Sequence, residues 1–282
     1  MSDALDWWEA VLLGVIEGLT EFLPVSSTGH LTVTEKLLGH EIDAPDITAF
    51  TAIIQIGAIL ATVIYFRADL RRMIVALVRG IPDRERRAGP DWRLAIAVVV
   101  GSIPIGIVGL AFKDQIETTL RDLWFVGSAL ILWSGVMHYA DTHATLDRSE
   151  EQVTSRDTLI IGIVQCLALI PGVSRSGATL SAGLLRGLDR VTVTRFSFFL
   201  AMPALAAAAF LQAATEYDNI SDGVGWGPTI AATAISFVVA YAVVAWLLRY
   251  IAAHTYRLFI VYRLILGVIV LALVASGAVA SD

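Results

Sequence analysis

Glu17 and Glu21 lie four residues apart in an apolar stretch, and a helix there puts both carboxylates on one face. Two such charges are costly in a membrane segment, and a divalent cation between them would remove that cost. Carboxylate oxygens suit Mg2+ or Ca2+. The competing reading is one protonated carboxyl, with the other at the interface. Ser26, Ser27 and Thr28 follow, then Gly29 and His30. A hydroxyl nucleophile needs a base, and imidazole is the usual one. One of these hydroxyls also suits the N-cap of a helix beginning near Leu31. Farther along, Arg175 stands between Ser174 and Ser176, just past Pro171-Gly172. Its weakly hydrated, planar guanidinium suits phosphate, and the N–H groups freed at a helix start add to an anion site. A buried Arg–Glu pair is its structural counterpart. Carboxylates, hydroxyls, an imidazole and a guanidinium together make a kit for binding and attacking a phosphate.

Both groups of residues sit where apolar helical runs break. The stretches 7–38 and 156–188 are each interrupted by Pro, Gly and Ser, and neither half is long enough to span a bilayer. Each is expected to form a helix–break–helix hairpin that enters the membrane and returns to the same side. Irregular backbone survives at that depth only when buried in protein or lining a wet cavity. Six further segments are expected to cross: roughly 46–66, 93–112, 123–141, 192–215, 226–248 and 256–278. The 282 residues are 56% hydrophobic with mean hydropathy +0.72, above the roughly 45–50% apolar content of a soluble domain. The expected class is therefore an all-α polytopic membrane protein forming one integral membrane domain over 1–282. The acidic N-terminus does not read as a signal peptide. A single cysteine, Cys166, excludes an internal disulfide and a cysteine metal cluster, and its apolar helix makes packing its expected role. Nothing points to a nucleic-acid partner.

Arginines set the expected orientation. The 67–93 loop holds eight of them, including Arg67, Arg71, Arg72 and Arg79, which makes it cytoplasmic by the positive-inside rule. The loops 142–156, 186–195 and 249–257 then fall inside, and each carries arginine; 216–226 falls outside and carries neither Lys nor Arg. The 113–122 loop also falls outside, with one Lys and one Arg. Both termini and the opening of the pocket are expected on the extracytoplasmic face of the inner or plasma membrane.

An offset of 148 residues aligns the two broken stretches without a gap: Gly14 with Gly162, Glu17 with Gln165, Ser26 with Ser174, Thr28 with Ser176 and Gly29 with Gly177. A fainter echo joins 125–132 to 259–266. Each half, about 1–141 and 156–282, is then one hairpin plus three spans. Three is odd, so the second half inserts upside down and the two breaks meet near the midplane, as in inverted-repeat transporters. Gln55 and Gln165 line the resulting cavity or bond a neighbouring helix. Arg263, about two turns inside its span, is expected to snorkel to the cytoplasmic face.

At the two motifs, Glu17-Gly-Leu-Thr-Glu21-Phe-Leu-Pro-Val-Ser-Ser-Thr-Gly-His30 and Pro171-Gly-Val-Ser-Arg-Ser-Gly-Ala-Thr179, the chain resembles the undecaprenyl-diphosphate phosphatase family, the bacitracin-resistance proteins. Gln165-Cys-Leu-Ala-Leu and the run from Phe196 to Ala201 add to the resemblance, which covers essentially the whole chain. It implies hydrolysis of a C55 polyprenyl diphosphate to the monophosphate on the extracytoplasmic face, recycling of the lipid carrier for cell-wall synthesis, and a divalent-cation requirement. It implies catalytic or binding roles for Glu17, Glu21, Ser27, His30, Ser174, Arg175, Ser176 and Thr179. Ser26, Thr28 and Gln165 join the substrate-binding set, and a homodimer is allowed.

Three attacks on the terminal phosphorus are open: Ser27 with His30 or a Glu as base, His30 itself, or water. Ser27 is preferred. The rival class is a transporter of a lipid phosphate or of phosphate, built on the same inverted-repeat pocket. A nucleophile beside a base favours chemistry over transport.

Overall fold

The computed structural model describes residues 5–41, 44–112, 122–215 and 217–281. Residues 113–121, most of the loop expected outside with its Lys and Arg, lie outside them. Twelve α-helices are named here in chain order. Helix α1 (Trp7–Thr20) and α2 (Ser27–Leu38) flank the first break. The span α3 (Pro45–Tyr65) follows, then the arginine-rich α4 (Arg67–Gly80) and the spans α5 (Pro90–Ala111) and α6 (Leu123–His143). Helix α7 (Ser155–Gln165) and α8 (Arg175–Leu185) flank the second break, and α9 (Arg190–Thr215), α10 (Tyr217–Asp222), α11 (Trp226–Ile251) and α12 (Arg257–Ala275) complete the order.

Six of these helices, α3, α5, α6, α9, α11 and α12, are long and apolar enough to cross a bilayer, α9 over Arg190–Ala209. They match the six expected segments to within a few residues. Their starts follow helix chemistry: Pro45 and Pro90 open α3 and α5, each with an aspartate in the first turn. The helices beside the breaks are different. α1 has 14 residues, α2 has 12, and α7 and α8 have 11 each. At about 1.5 Å per residue none exceeds roughly 21 Å, short of the roughly 30 Å hydrocarbon core.

Close approach of helix backbones locates the breaks. α1 and α3 both pack on α11, α7 packs on α5, and α6 packs on α12. Gly14 of α1 faces the α11 backbone, where an added Cβ would lie 2.5 Å from the Ala232 carbonyl oxygen; Gly162 of α7 faces α5, where one would lie 2.4 Å from the Gly101 carbonyl oxygen. Small residues at both crossings let the short helices sit against full spans. The breaks themselves are brought together beside α6 and α12. α8 packs along α9, whereas α2 and α3 diverge and leave a cavity between them.

Candidate active site

Both breaks end in the same local device. Ser26 caps α2 and Ser174 caps α8, each accepting a hydrogen bond from the glycine N–H three residues on, at 3.3 and 3.2 Å. Their φ values are 75° and 73°, a region that disfavours side chains and costs about 1–3 kcal/mol. The neighbouring structure holds that strain. Ser26 Oγ also accepts from Gly172 N at 3.1 Å, and Ser176 Oγ donates to the Leu23 carbonyl at 2.9 Å. α2 therefore begins at Ser27, a turn earlier than the expected start near Leu31.

Glu21 stands at the centre of a polar network across this seam. Its Oε2 accepts from Ser27 Oγ at 2.5 Å and from Gln55 Nε2 at 3.3 Å; its Oε1 accepts from Arg175 Nη2 at 3.1 Å. Arg175 also donates from Nη1 to the Ser197 carbonyl at 3.3 Å and stacks its cation over the Phe22 ring at 5.6 Å. Its Nε is buried with no partner, an unused donor next to the network. Thr179 Oγ1 sits 2.7 Å from Ser197 Oγ and 2.9 Å from the Arg175 carbonyl, so it fixes the turn that carries Arg175.

The cavity between α2 and α3 has a volume of about 180 Å³. Glu17, Ser27, Thr28, Glu35, Thr51 and Gln55 are among its lining residues. Glu17 is 1% exposed, and both its carboxylate oxygens are buried without a hydrogen-bond donor. A buried carboxylate in that state is expensive, and a hard cation is the partner that would relieve it. Among the described residues no group of three or more His, Cys, Asp or Glu gathers as a metal cluster. A pair of carboxylates with hydroxyl and amide oxygens nearby is nonetheless the donor set of a cation such as Mg2+ that keeps much of its water. The residues present fit such an ion.

The remaining site candidates lie elsewhere in the network. His30 does not line the cavity. Its Nδ1 is 2.7 Å from the Ser26 carbonyl, which assigns the proton to that nitrogen, and its Nε2 accepts from the Tyr262 hydroxyl at 2.7 Å with the two rings stacked. Neither ring nitrogen is bonded to Ser27. Ser26, Ser174 and Ser176 are buried in the seam between the breaks. Gln165 is fully buried with neither amide atom bonded, away from the cavity lining. Gln55 does both things foreseen for it, lining the cavity and bonding Glu21.

Arg263 corrects an expectation. Its side chain does not snorkel: it is 0% exposed and donates to the Pro24, Gly172 and Val173 carbonyls and to Ser134 Oγ. Residues 10–269 match the family described as Bacitracin resistance protein BacA. The chain belongs to the BacA family. A protein of Frankia casuarinae named Undecaprenyl-diphosphatase 3 is 68% identical over 273 residues, 97% of this chain and 98% of its own. Undecaprenyl-diphosphatases of Cutibacterium acnes and Acidothermus cellulolyticus are 49% and 48% identical, covering 98% and 96% of this chain and 99% and 97% of theirs. In this BacA-family chain, residue types alone gave no sign of the contacts of Tyr262 and Ser197, and they misjudged Arg263. A charge in the interior of an apolar span was the available signal for Arg263, since such residues face the protein interior or a cavity. Ser197 acts through its carbonyl and hydroxyl, and no spacing rule singles it out.

Proposed function

We propose that this protein is an undecaprenyl-diphosphatase, an integral membrane hydrolase that converts the C55 polyprenyl diphosphate to the monophosphate plus phosphate and so returns the lipid carrier to cell-wall synthesis. The Ser27–Glu21 hydrogen bond, beside the cavity that Ser27, Glu17 and Glu35 line, carries the reading, because it joins a nucleophile to a base. Ser27 Oγ attacks the terminal phosphorus while Glu21 takes its proton. The anhydride P–O bond breaks and the polyprenyl monophosphate leaves. Water then attacks the phosphoserine while Glu21 returns its proton to the departing serine oxygen, and both water protons leave with the inorganic phosphate, which restores the Glu21 carboxylate. Arg175, with its unused Nε, holds the phosphoryl oxygens and spreads their charge. Glu17 and Glu21 would hold a Mg2+ or Ca2+ ion, which supplies neutralising charge to the diphosphate. Thr28 lines the cavity, and His30 orients the first break through Ser26.

Several observations support the finer architecture. The short helices beside each break suit re-entrant hairpins. The matched strained caps at Ser26 and Ser174, and the matched glycine crossings at Gly14 and Gly162, support an inverted repeat. The arginine distribution supports extracytoplasmic termini, with the cavity open to that face. The transporter alternative gains no support from the relatives, which are named as diphosphatases.

The direct test is phosphate release from polyprenyl diphosphate by the purified protein, with and without Mg2+ or Ca2+. Hydrolysis abolished by Ser27→Ala is expected. Substrate flux in liposomes with no phosphate release would overturn the assignment.

A further inference from the structure

We infer that Arg263 is a positioning residue for the reaction, joining the two breaks into one site; the inference rests on the reading of the site given above. Arg263 lies in the interior of α12, whose only other charged residue is Arg257 at its first position. Its guanidinium divides its donors between the two halves of the chain. Nη1 donates to the Pro24 carbonyl at 3.2 Å, on the first break. Nη2 donates to Gly172 and Val173 carbonyls at 2.7 and 3.1 Å, on the second. Nε reaches Ser134 Oγ of α6 at 3.4 Å.

The positions of these acceptors give the contact its meaning. Pro24 lies between Glu21 and Ser27, and Gly172 and Val173 immediately precede Ser174 and Arg175. One planar fork therefore ties down the backbone between base and nucleophile, and the backbone that aims the phosphate-binding arginine. Among the described residues no carboxylate pairs with Arg263. It is fully buried, so its charge is held by three carbonyl dipoles and the Ser134 hydroxyl. An apolar side chain of the same volume would fill that space without a desolvation cost. What arginine adds is the shared registration of two loops, and only five donors in a rigid plane can reach both at once.

Arg263 does not line the cavity, so its effect passes through the Glu21–Arg175 pair, which spans the same seam at 3.1 Å. A displacement of about 1 Å at such a pair typically costs about 100-fold in rate. Loss of the fork should therefore lower kcat while leaving KM little changed, because the lipid tail and the charged pocket remain.

The experiment compares wild type, Arg263→Met and Arg263→Lys in detergent with polyprenyl diphosphate, alongside thermal stability. Wild-type hydrolysis tests the functional reading on its own; the variants test Arg263 only once that activity is seen. Expected for folded Arg263→Met is a kcat loss of about 100-fold with KM within about threefold. Arg263→Lys keeps the charge but not the fork, and should recover less than about a tenth of wild-type kcat. A folded Arg263→Met enzyme with near-wild-type kcat would overturn the inference. Full activity in Arg263→Lys would overturn it equally, since charge alone would then suffice. If Arg263→Met does not accumulate as folded protein, the lysine variant decides.

Discussion

Ser27 Oγ donates to Glu21 Oε2 over 2.5 Å, while His30, the other base considered for it, turns both ring nitrogens elsewhere. Glu21 also receives Arg175 and Gln55, so its carboxylate is oriented from three sides. Glu21→Gln keeps the shape and removes the base. A kcat loss of about 10²–10⁴-fold is expected, the range for a general base. Ser27→Ala should abolish covalent labelling from substrate carrying a labelled terminal phosphate. Labelled enzyme that survives Ser27→Ala, or near-normal turnover by that variant, rules the serine out.

Glu17 makes a separate prediction because its carboxylate is buried without a donor. In chelator, Glu17→Gln should be more stable than wild type, since it removes a buried carboxyl group that has no hydrogen-bond donor, worth about 1 kcal/mol or more. That corresponds to a rise of about 2–4 °C in thermal midpoint for a chain of this size class. Adding Mg2+ should raise the wild-type midpoint by mass action and leave the variant's unmoved. Equal Mg2+ shifts in the two proteins would remove Glu17 from the cation site.

His30 and Tyr262 bond at 2.7 Å with stacked rings, and His30 in turn holds the Ser26 carbonyl. If Tyr262 acts only by keeping the ring in place, Tyr262→Phe should reduce kcat modestly in wild type and hardly at all in a His30→Ala background. A coupling of about 0.5–1.5 kcal/mol is the scale for such a contact. Additive losses would show that the two residues act independently. A phosphohistidine detected in wild type would restore His30 as nucleophile.

Six spans were readable from the sequence because bilayer thickness fixes their length, and the two breaks because Pro, Gly and Ser interrupt otherwise apolar runs. Carboxylates and arginine inside those runs were readable for the same reason: hydrocarbon tolerates them only with a purpose. The direction of His30 was not readable. Its partner Tyr262 is 232 positions away, and proximity to Ser27 in sequence suggested a contact that the helix start does not make. Arg263 was misjudged because three of its four acceptors are backbone oxygens, which every residue carries and no residue type announces. The cap at Ser26 was foreseen as one of three hydroxyls, but which one depends on a backbone turn with positive φ that sequence does not reveal.

Asp157 tests the foot of α7, away from the chemistry. It occupies the third position of a capping box whose N-cap is Thr154, as Glu9 does at the foot of α1 behind Asp6. Its carboxylate is buried and accepts from Arg148 Nη1 and Nη2 at 3.2 and 2.5 Å, Arg186 Nε at 2.7 Å and Thr154 Oγ1 at 2.6 Å. Burial alone would raise the Asp157 carboxyl; the hydrogen bonds from Arg148, Thr154 and Arg186 prevail and hold it well below the usual carboxylate range. Because the folded value lies below the unfolded one, the stabilisation is present above the unfolded value and lost as pH falls through the folded one. Asp157→Asn should cost about 2–3 kcal/mol, less than a fully buried pair because both arginines are partly solvated. The thermal midpoint should fall by about 5–10 °C at neutral pH, with kcat of the folded fraction unchanged. The gap between the two proteins should narrow progressively below about pH 5. A gap constant down to strongly acidic pH would mean that the asparagine variant loses packing at this corner, and not the charge that the two arginines share.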